Sequence, residues 1–169
     1  NVVHTSTTAQ NMIKNFQETV KIYEQGKAYY DALKSVHDLV KGARKVQQTI
    51  LLVGDISDIY VTNFNTMTGD PNFTVEELSA IAFGYNRLLK ESSDLLLDLK
   101  EVTTATGLSM TDKERLDIIN RIYGEVLEYK NLTWYYTRKN IGVSYLRSKE
   151  KGDAARVLSL YGTHDQRYW

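Results

Sequence analysis

The chain contains no cysteine and a single proline, Pro71, among its 169 residues. The absence of cysteine excludes disulfide bonds, thiolate nucleophiles, and zinc or iron sites built from thiolates. Proline interrupts helices because it lacks a backbone N–H donor and its ring clashes with the preceding turn. Its near absence therefore leaves almost the whole chain free to form long helices.

The chain also has no net charge, because 21 Lys and Arg residues balance 21 Asp and Glu residues. Without an overall positive field, strong non-specific binding to nucleic acid is not expected. The longest apolar runs, TILLVG and DLLLDL, are far shorter than the roughly 20 residues that a membrane-spanning helix needs. The composition predicts a folded, water-soluble chain with no membrane span.

Motifs that carry catalysis or cofactor binding are missing as well. The sequence has no glycine-rich phosphate loop, nucleophile elbow, HExxH motif or dinucleotide fingerprint. The three histidines, His4, His37 and His164, are too far apart in sequence to resemble a metal or catalytic group. Asp55 and Asp58 share a helix face, but nothing indicates a pocket that would desolvate one of them. We predict no catalytic, cofactor-binding or metal-binding residue, and we interpret the chain as a non-enzyme.

What the sequence does contain is apolar stripes with alternating steps of three and four residues, the spacing of helices that pack together. The clearest stripe is Leu78, Ile81, Tyr85, Leu88, Ser92, Leu95, Leu99 and Val102. The stripe before it is Ala43, Val46, Ile50, Val53, Ser57, Tyr60, Phe64 and Met67. A noisier first stripe is Met12, Phe16, Thr19, Tyr23, Gly26, Tyr30, Leu33, His37 and Val40. The last is Leu116, Ile119, Ile122, Val126, Tyr129, Thr133 and Tyr136.

These stripes predict helices at residues 6–40, 43–67, 74–105 and 112–149, followed by a short helix across DAARVLSLYG. Thr74 with Glu77, and Thr111 with Glu114, form capping-box patterns that mark two of the helix starts. The first boundary is less defined, because VKGARK offers only Gly42, and one bent continuous helix remains an alternative. We predict an all-α fold: an elongated antiparallel bundle or coiled coil of about four long helices plus a short C-terminal helix, in one domain spanning residues 1–169.

Charge varies along the chain despite the zero total. From Arg138 to Arg156 there are six bases and two acids, and the overlapping stretch TWYYTRKNIGVSYLR is rich in aromatic residues. Thr133 and Tyr136 continue the last apolar stripe, so part of this aromatic character is core packing. Aromatic residues and arginine are enriched at interface hot spots. We predict partner docking by Trp134, Arg138, Lys139 and Arg147 in this stretch, and by Arg167, Tyr168 and Trp169 in the tail LYGTHDQRYW.

Other interpretations of these residues stay open. The basic segment can instead be a solvated helix face with pairs of opposite charges one turn apart. Tyr168 and Trp169 can fold back to cover one end of the bundle. Single-stranded nucleic acid stacks on exposed aromatic residues in a positive groove, but the position of Tyr136 in the apolar stripe disfavours that use.

Three long segments carry a resemblance to a known family: TAQNMIKNFQETVKIYEQGKAYYDALKSV, ARKVQQTILLVGDISDIYVTNF and KNIGVSYLRSKEKGDAARVLSLYGT. They resemble a Bacteroidetes conjugative-transposon transfer protein family, which is similar to the TrbJ-type minor pilin of type IV secretion systems. The resemblance covers nearly the whole chain and includes no catalytic motif. It implies an exported, periplasmic or surface-exposed subunit, with a structural or adhesive role, that assembles with other proteins of the pilus or channel. The chain begins at Asn1 without a leader, so export is implied by the resemblance alone.

Two further functions fit the same apolar stripes. One is a cytosolic coiled-coil scaffold, and homo-oligomers are possible in either setting. The other is a helical bundle that binds a small ligand or haem, with His37 as the axial candidate. We predict no cofactor for the favoured function.

Overall fold

A computed structural model of the protein describes residues 43–104 and 110–162, together with four isolated residues near the N-terminus, Lys14, Lys21, Glu24 and Ala28. The two long ranges form four helices: α1 (Ala43–Thr68), α2 (Val75–Thr104), α3 (Asp112–Glu150) and α4 (Ala154–Tyr161). The all-α prediction is confirmed, and the bounds of these helices differ from the predicted ones by one residue at most. The predicted helix at 6–40 lies outside the described residues, apart from the four isolated positions, each of which is helical.

Helices α2 and α3 begin at the capping boxes that the sequence predicts. The backbone N–H of Glu77 donates to Thr74 Oγ1 over 3.2 Å, and the N–H of Thr74 donates to Glu77 Oε2 over 2.9 Å. Thr111 and Glu114 make the same reciprocal pair at 3.2 and 2.8 Å. Each box satisfies backbone donors that have no partner inside the helix, which contributes about 1 kcal/mol of stability.

Helices α1 and α3 run parallel to each other, and α2 runs antiparallel to both. The short turn at residues 69–74 reverses the chain between α1 and α2. Arg115 donates to the Val102 carbonyl over 3.1 Å, so α3 begins beside the end of α2. Lys130 and Asp55 form an ion pair at 2.9 Å midway along α3 and α1. Helix α4 then packs back against α3 and α1.

The core lies between the three long helices. The predicted α1 stripe is confirmed, because its members from Val46 to Met67 are all buried. In α2 the prediction is wrong in phase at two places: Leu88 and Leu95 are only half-buried, whereas the neighbouring Leu89 and Leu96 are buried. Helix α2 contacts both α1 and α3, so it buries a wider face than a single seam of three- and four-residue steps covers.

Aromatic rings fill the middle of this core. The rings of Tyr60 and Tyr85 are stacked with centroids 4.7 Å apart, and Tyr136 meets Tyr85 edge-on at 5.0 Å. The Tyr85 hydroxyl is 2.6 Å from Thr137 Oγ1, and burial raises the pKa of Tyr85. The Tyr136 hydroxyl reaches α2 beside Gly84, where a Cβ atom would overlap it. Glycine at this position therefore lets Tyr136 approach the α2 backbone.

A polar cluster closes the end of the bundle at the turn between α1 and α2. The buried carboxylate of Asp70 accepts hydrogen bonds from the Asn72 backbone N–H at 2.9 Å, from Ser144 Oγ at 2.5 Å and from the Tyr161 hydroxyl at 2.8 Å. These donors belong to the turn, to α3 and to α4. Asp70 thereby ties three parts of the chain together and fixes the position of the C-terminal half of α3.

Candidate docking surface

The most conspicuous exposed feature of the described residues is an apolar stripe on the solvent side of α3. Its members recur at steps of three and four residues, so they share one helix face. The stripe, called the outer stripe below, consists of Leu132, Tyr135, Lys139, Val143 and Leu146. Its four apolar members are between 40% and 56% exposed. Contiguous exposed apolar residues of this kind mark interaction sites.

The opposite, inward face of the same half of α3 is mostly polar. It consists of Thr133, Thr137, Ser144 and Ser148 together with one large apolar residue, Ile141, and all five are buried. Thr133 Oγ1 donates to the Tyr129 carbonyl over 2.7 Å, and Thr137 Oγ1 donates to the Thr133 carbonyl over 2.8 Å. Helix α3 continues unbroken through Gly142. Four large apolar side chains in this half of the helix therefore face outward, while four hydroxyl side chains and Ile141 face inward.

Positive charge accompanies the outer stripe. Arg138, Lys139 and Lys149 are exposed, and none of them forms an ion pair with a residue that the structure describes. The Nζ atom of Lys139 lies 5.3 Å from the ring centroid of Tyr135, within the range of a cation–π contact. These cations are available to the acidic groups of a partner.

The part of α3 that precedes the outer stripe carries acids on the same face. Glu128 is exposed one turn before Leu132, and Glu125 lies one turn earlier, where it forms an ion pair with Arg121 at 3.2 Å. On this face Glu125 and Glu128 therefore precede the outer stripe, Lys139 lies within it, and the exposed Glu150 lies one turn after Leu146.

Arg147, which the sequence predicts as a docking residue, makes its contacts within the fold. Its guanidinium donates to both carboxylate oxygens of Glu77, at 2.6 and 2.8 Å, and to the Asn72 carbonyl at 2.8 Å. The hydrogen bond from Arg147 is the main cause that lowers the pKa of Glu77 from 4.5 to about 2. The physical reason is helical phase, because Arg147 follows Leu146 and so points about 100° away from it, toward the first turn of α2.

The other predicted docking residues have different positions. Lys139 lies on the outer stripe, Arg138 is exposed beside it, and Trp134 is half-buried. Arg167, Tyr168 and Trp169 lie outside the described residues.

Sequence reasoning missed the apolar members of the outer stripe, namely Leu132, Tyr135, Val143 and Leu146. The signal was present as a second set of three- and four-residue steps. Following the core stripe through Thr133 and Tyr136 explains only one of the two sets. A stripe on the opposite face is visible only once the inward face of α3 is known.

Comparisons of the chain with protein-family profiles, with curated proteins and with solved structures found no match. Among the residues that the structure describes, no group of three or more His, Cys, Asp or Glu side chains is placed to hold a metal ion. No helix in the described ranges is both long enough and apolar enough to span a bilayer. The docking surface accordingly rests on the exposure, spacing and charge of its own residues.

Proposed function

We propose that the protein is a non-enzymatic structural or adhesive subunit of a conjugative type IV secretion apparatus and that it works through protein–protein contacts, one of which uses the outer stripe of α3. The observation that carries the docking role is the exposure of four large apolar side chains on one face of the second half of α3, whose inward face is mostly polar. The assignment to a conjugative apparatus, with export to the periplasm or cell surface, is supported by the resemblance of the three long segments quoted above.

The energetics favour an occupied stripe. Burying apolar surface contributes roughly 25 cal/mol for each Å² removed from water. In the isolated chain the outer stripe stays exposed to water and gains none of this free energy. The same helix places small hydroxyl residues against its neighbouring helices. Exposed cations beside the stripe add selectivity for a partner with acidic groups, because opposite charges across an interface suppress wrong partners.

The elongated four-helix architecture belongs to the same proposal, with residues 6–40 as the additional long helix. Lys14, Lys21, Glu24 and Ala28 are helical and exposed. Their spacing puts these four residues on one helix face, which supports the proposed N-terminal helix. The tail residues Arg167, Tyr168 and Trp169 are proposed as a further contact with pilus or channel proteins.

A mating assay tests the proposal. The gene is deleted from a conjugative donor, and the deletion strain is complemented with the wild-type gene, with a Leu132→Gln/Leu146→Gln variant, or with a Phe83→Gln/Leu97→Gln control. The control removes two apolar residues of α2 that are 69% and 62% exposed but have charged residues between them on their face. We expect the deletion to abolish transfer without affecting growth, and we expect only the wild-type gene and the control to restore it.

Two results would contradict the proposal. Normal transfer frequency from the deletion strain would remove the conjugative role. Full restoration by the Leu132→Gln/Leu146→Gln variant would remove the outer stripe from that role.

A further inference from the structure

One segment of the exposed face of α3 carries an acid at one end and a base at the other, because Glu128 lies four residues before Leu132 and Lys139 lies four residues after Tyr135. A segment that is acidic at one end and basic at the other complements a copy of itself turned end to end. Both ends are then satisfied by the same partner.

We infer that two copies of the chain pair through the outer stripe, with their α3 helices antiparallel. This inference rests on the proposed function only in taking the stripe as a docking surface, and it names a second copy as the occupant. In the register that places Lys139 of one copy opposite Glu128 of the other, Leu132 falls opposite Tyr135. The two-fold axis repeats each of these pairs.

The same register also places a partner opposite Leu146. Leu146 of one copy falls opposite Arg121 of the other, whose aliphatic stem covers apolar surface while its charged end stays in water. From residue 121 to residue 146, the two helices overlap over about 38 Å, at 1.5 Å of rise for each residue. The contact consists of apolar pairs near the axis with an ion pair on each side of them.

The parallel arrangement is disfavoured by the same charges. If the two helices ran in the same direction in register, Lys139 would face Lys139 and Glu128 would face Glu128. Like charges brought together across an interface cost free energy and select against that arrangement. The antiparallel dimer converts the same four groups into two attractive pairs.

Sedimentation equilibrium of the full 169-residue chain tests the inference. Over about a hundredfold range of concentration, we expect the mass to rise from that of one chain to that of two, as mass action requires. Glu128→Lys and Lys139→Glu each place like charges in the contact, and each should weaken dimerisation at least about tenfold, which corresponds to about 1.4 kcal/mol. The double variant Glu128→Lys/Lys139→Glu restores both ion pairs and should recover dimerisation. Asp98→Lys, on the exposed side of α2, is the matched control and should leave it unchanged.

Cysteine crosslinking tests the register in a chain that has no cysteine of its own. Positions 128 and 139 of one α3 helix are about 16 Å apart along its axis, too far for a disulfide within one copy. Oxidation of a Glu128→Cys/Lys139→Cys variant should therefore give covalent dimers. The variant Phe83→Cys/Leu97→Cys, with the exposed positions on α2, should stay monomeric under the same conditions.

A mass of one chain at every concentration would overturn self-pairing. A dimer that is insensitive to both single charge reversals, and that gives no crosslink between positions 128 and 139, would overturn the assigned surface. The mating assay separates this inference from the proposed function. A monomeric chain whose outer-stripe variant still loses transfer overturns only the dimer, whereas a dimer whose gene is dispensable for transfer overturns only the conjugative role.

Discussion

The two halves of α3 follow opposite patterns. In the first half, Ile119, Ile122 and Val126 are buried, while Arg121 and Glu125 face solvent. This is the ordinary arrangement of a helix on the surface of a folded domain. In the second half the inward positions are threonine and serine except for Ile141, and four large apolar side chains face outward. The first half of α3 thus contributes most of its apolar contacts to the core, whereas the second half leaves an apolar stripe exposed.

The difference shows how the second half stays in place with Ile141 as its one buried large aliphatic side chain. Hydrogen bonds supply much of the attachment, because Ser144 donates to the buried Asp70 and Arg147 makes two bonds to Glu77. Tyr136 adds an aromatic contact from the flank of the helix. Polar contacts therefore provide much of the attachment of this end, and four of its large apolar side chains stay exposed.

The largest expected effect comes from breaking the polar cluster. Asp70→Ala removes an acceptor from Ser144 and Tyr161 in a buried site, and it should lower the free energy of unfolding by about 3 kcal/mol. Asp98→Ala, an exposed carboxylate on α2, should change it by less than about 0.5 kcal/mol. Urea denaturation of both variants measures the difference. Equal stability of the two variants would show that the cluster does not hold the second half of α3.

Adding one methyl group at either of two glycines, Gly84 or Gly124, compares the two halves of α3. A Cβ at Gly84 would overlap the Tyr136 hydroxyl, which anchors the second half of α3, whereas a Cβ at Gly124, in the first half, would meet no neighbouring group within 4 Å. Gly84→Ala should therefore cost about 2 kcal/mol through overpacking. Gly124→Ala should gain up to about 1 kcal/mol from the better helix propensity of alanine. Urea denaturation in dilute solution measures the change in the free energy of unfolding for both variants. A Gly84→Ala variant that is more stable than the wild type would contradict the close approach of Tyr136.

The ion pair of Arg147 should make stability depend on pH. The pKa of Glu77 falls from 4.5 to about 2 in the folded chain, so the folded state binds this proton more weakly than the unfolded state. The contribution is therefore complete above about pH 4.5 and declines as the pH falls toward about 2. Glu77→Gln should lower the free energy of unfolding by about 1 kcal/mol at neutral pH. It should lower it by almost nothing when the pH is near about 2.

Glu114→Gln is the matched control for that measurement. Glu114 occupies the same position in the capping box of α3 and, among the residues that the structure describes, bonds to Thr111. Glutamine is also accepted in a capping box. We expect a smaller loss than for Glu77→Gln in thermal unfolding at neutral pH. Losses of the same size would show that Arg147 adds nothing to the capping box of α2.

The smallest effect on stability is expected at the outer stripe. Leu132→Gln/Leu146→Gln should change the free energy of unfolding of the monomer by less than about 0.5 kcal/mol, because both side chains are already exposed in the isolated chain. Denaturation at low protein concentration measures this value. A loss of several kcal/mol would place the stripe in the core and erase the contrast between the two halves of α3.

The sequence predicts the helices of this fold well, and the surface of α3 poorly. Apolar spacing and the capping boxes at Thr74 and Thr111 are local signals, and they locate each described helix to within one residue. Burial depends on neighbours, so spacing alone could not decide between Leu88 and Leu89 on a helix that contacts two others. The partner of Arg147 is 70 residues away in sequence, and no local pattern reveals it. The outer stripe was hidden because threonine and serine, which carry little apolar signal, fill the face toward the core.

Photocrosslinking at two leucines of similar exposure tests the central claim most directly. A photoreactive amino acid replaces Leu146, which is 56% exposed on the outer stripe, or Leu97, which is 62% exposed on α2, in cells that carry the complete transfer system. We expect light to produce a covalent adduct of higher mass from position 146 and none from position 97. The absence of an adduct at position 146, or equal adducts at both positions, would contradict the account of the outer stripe as a docking surface.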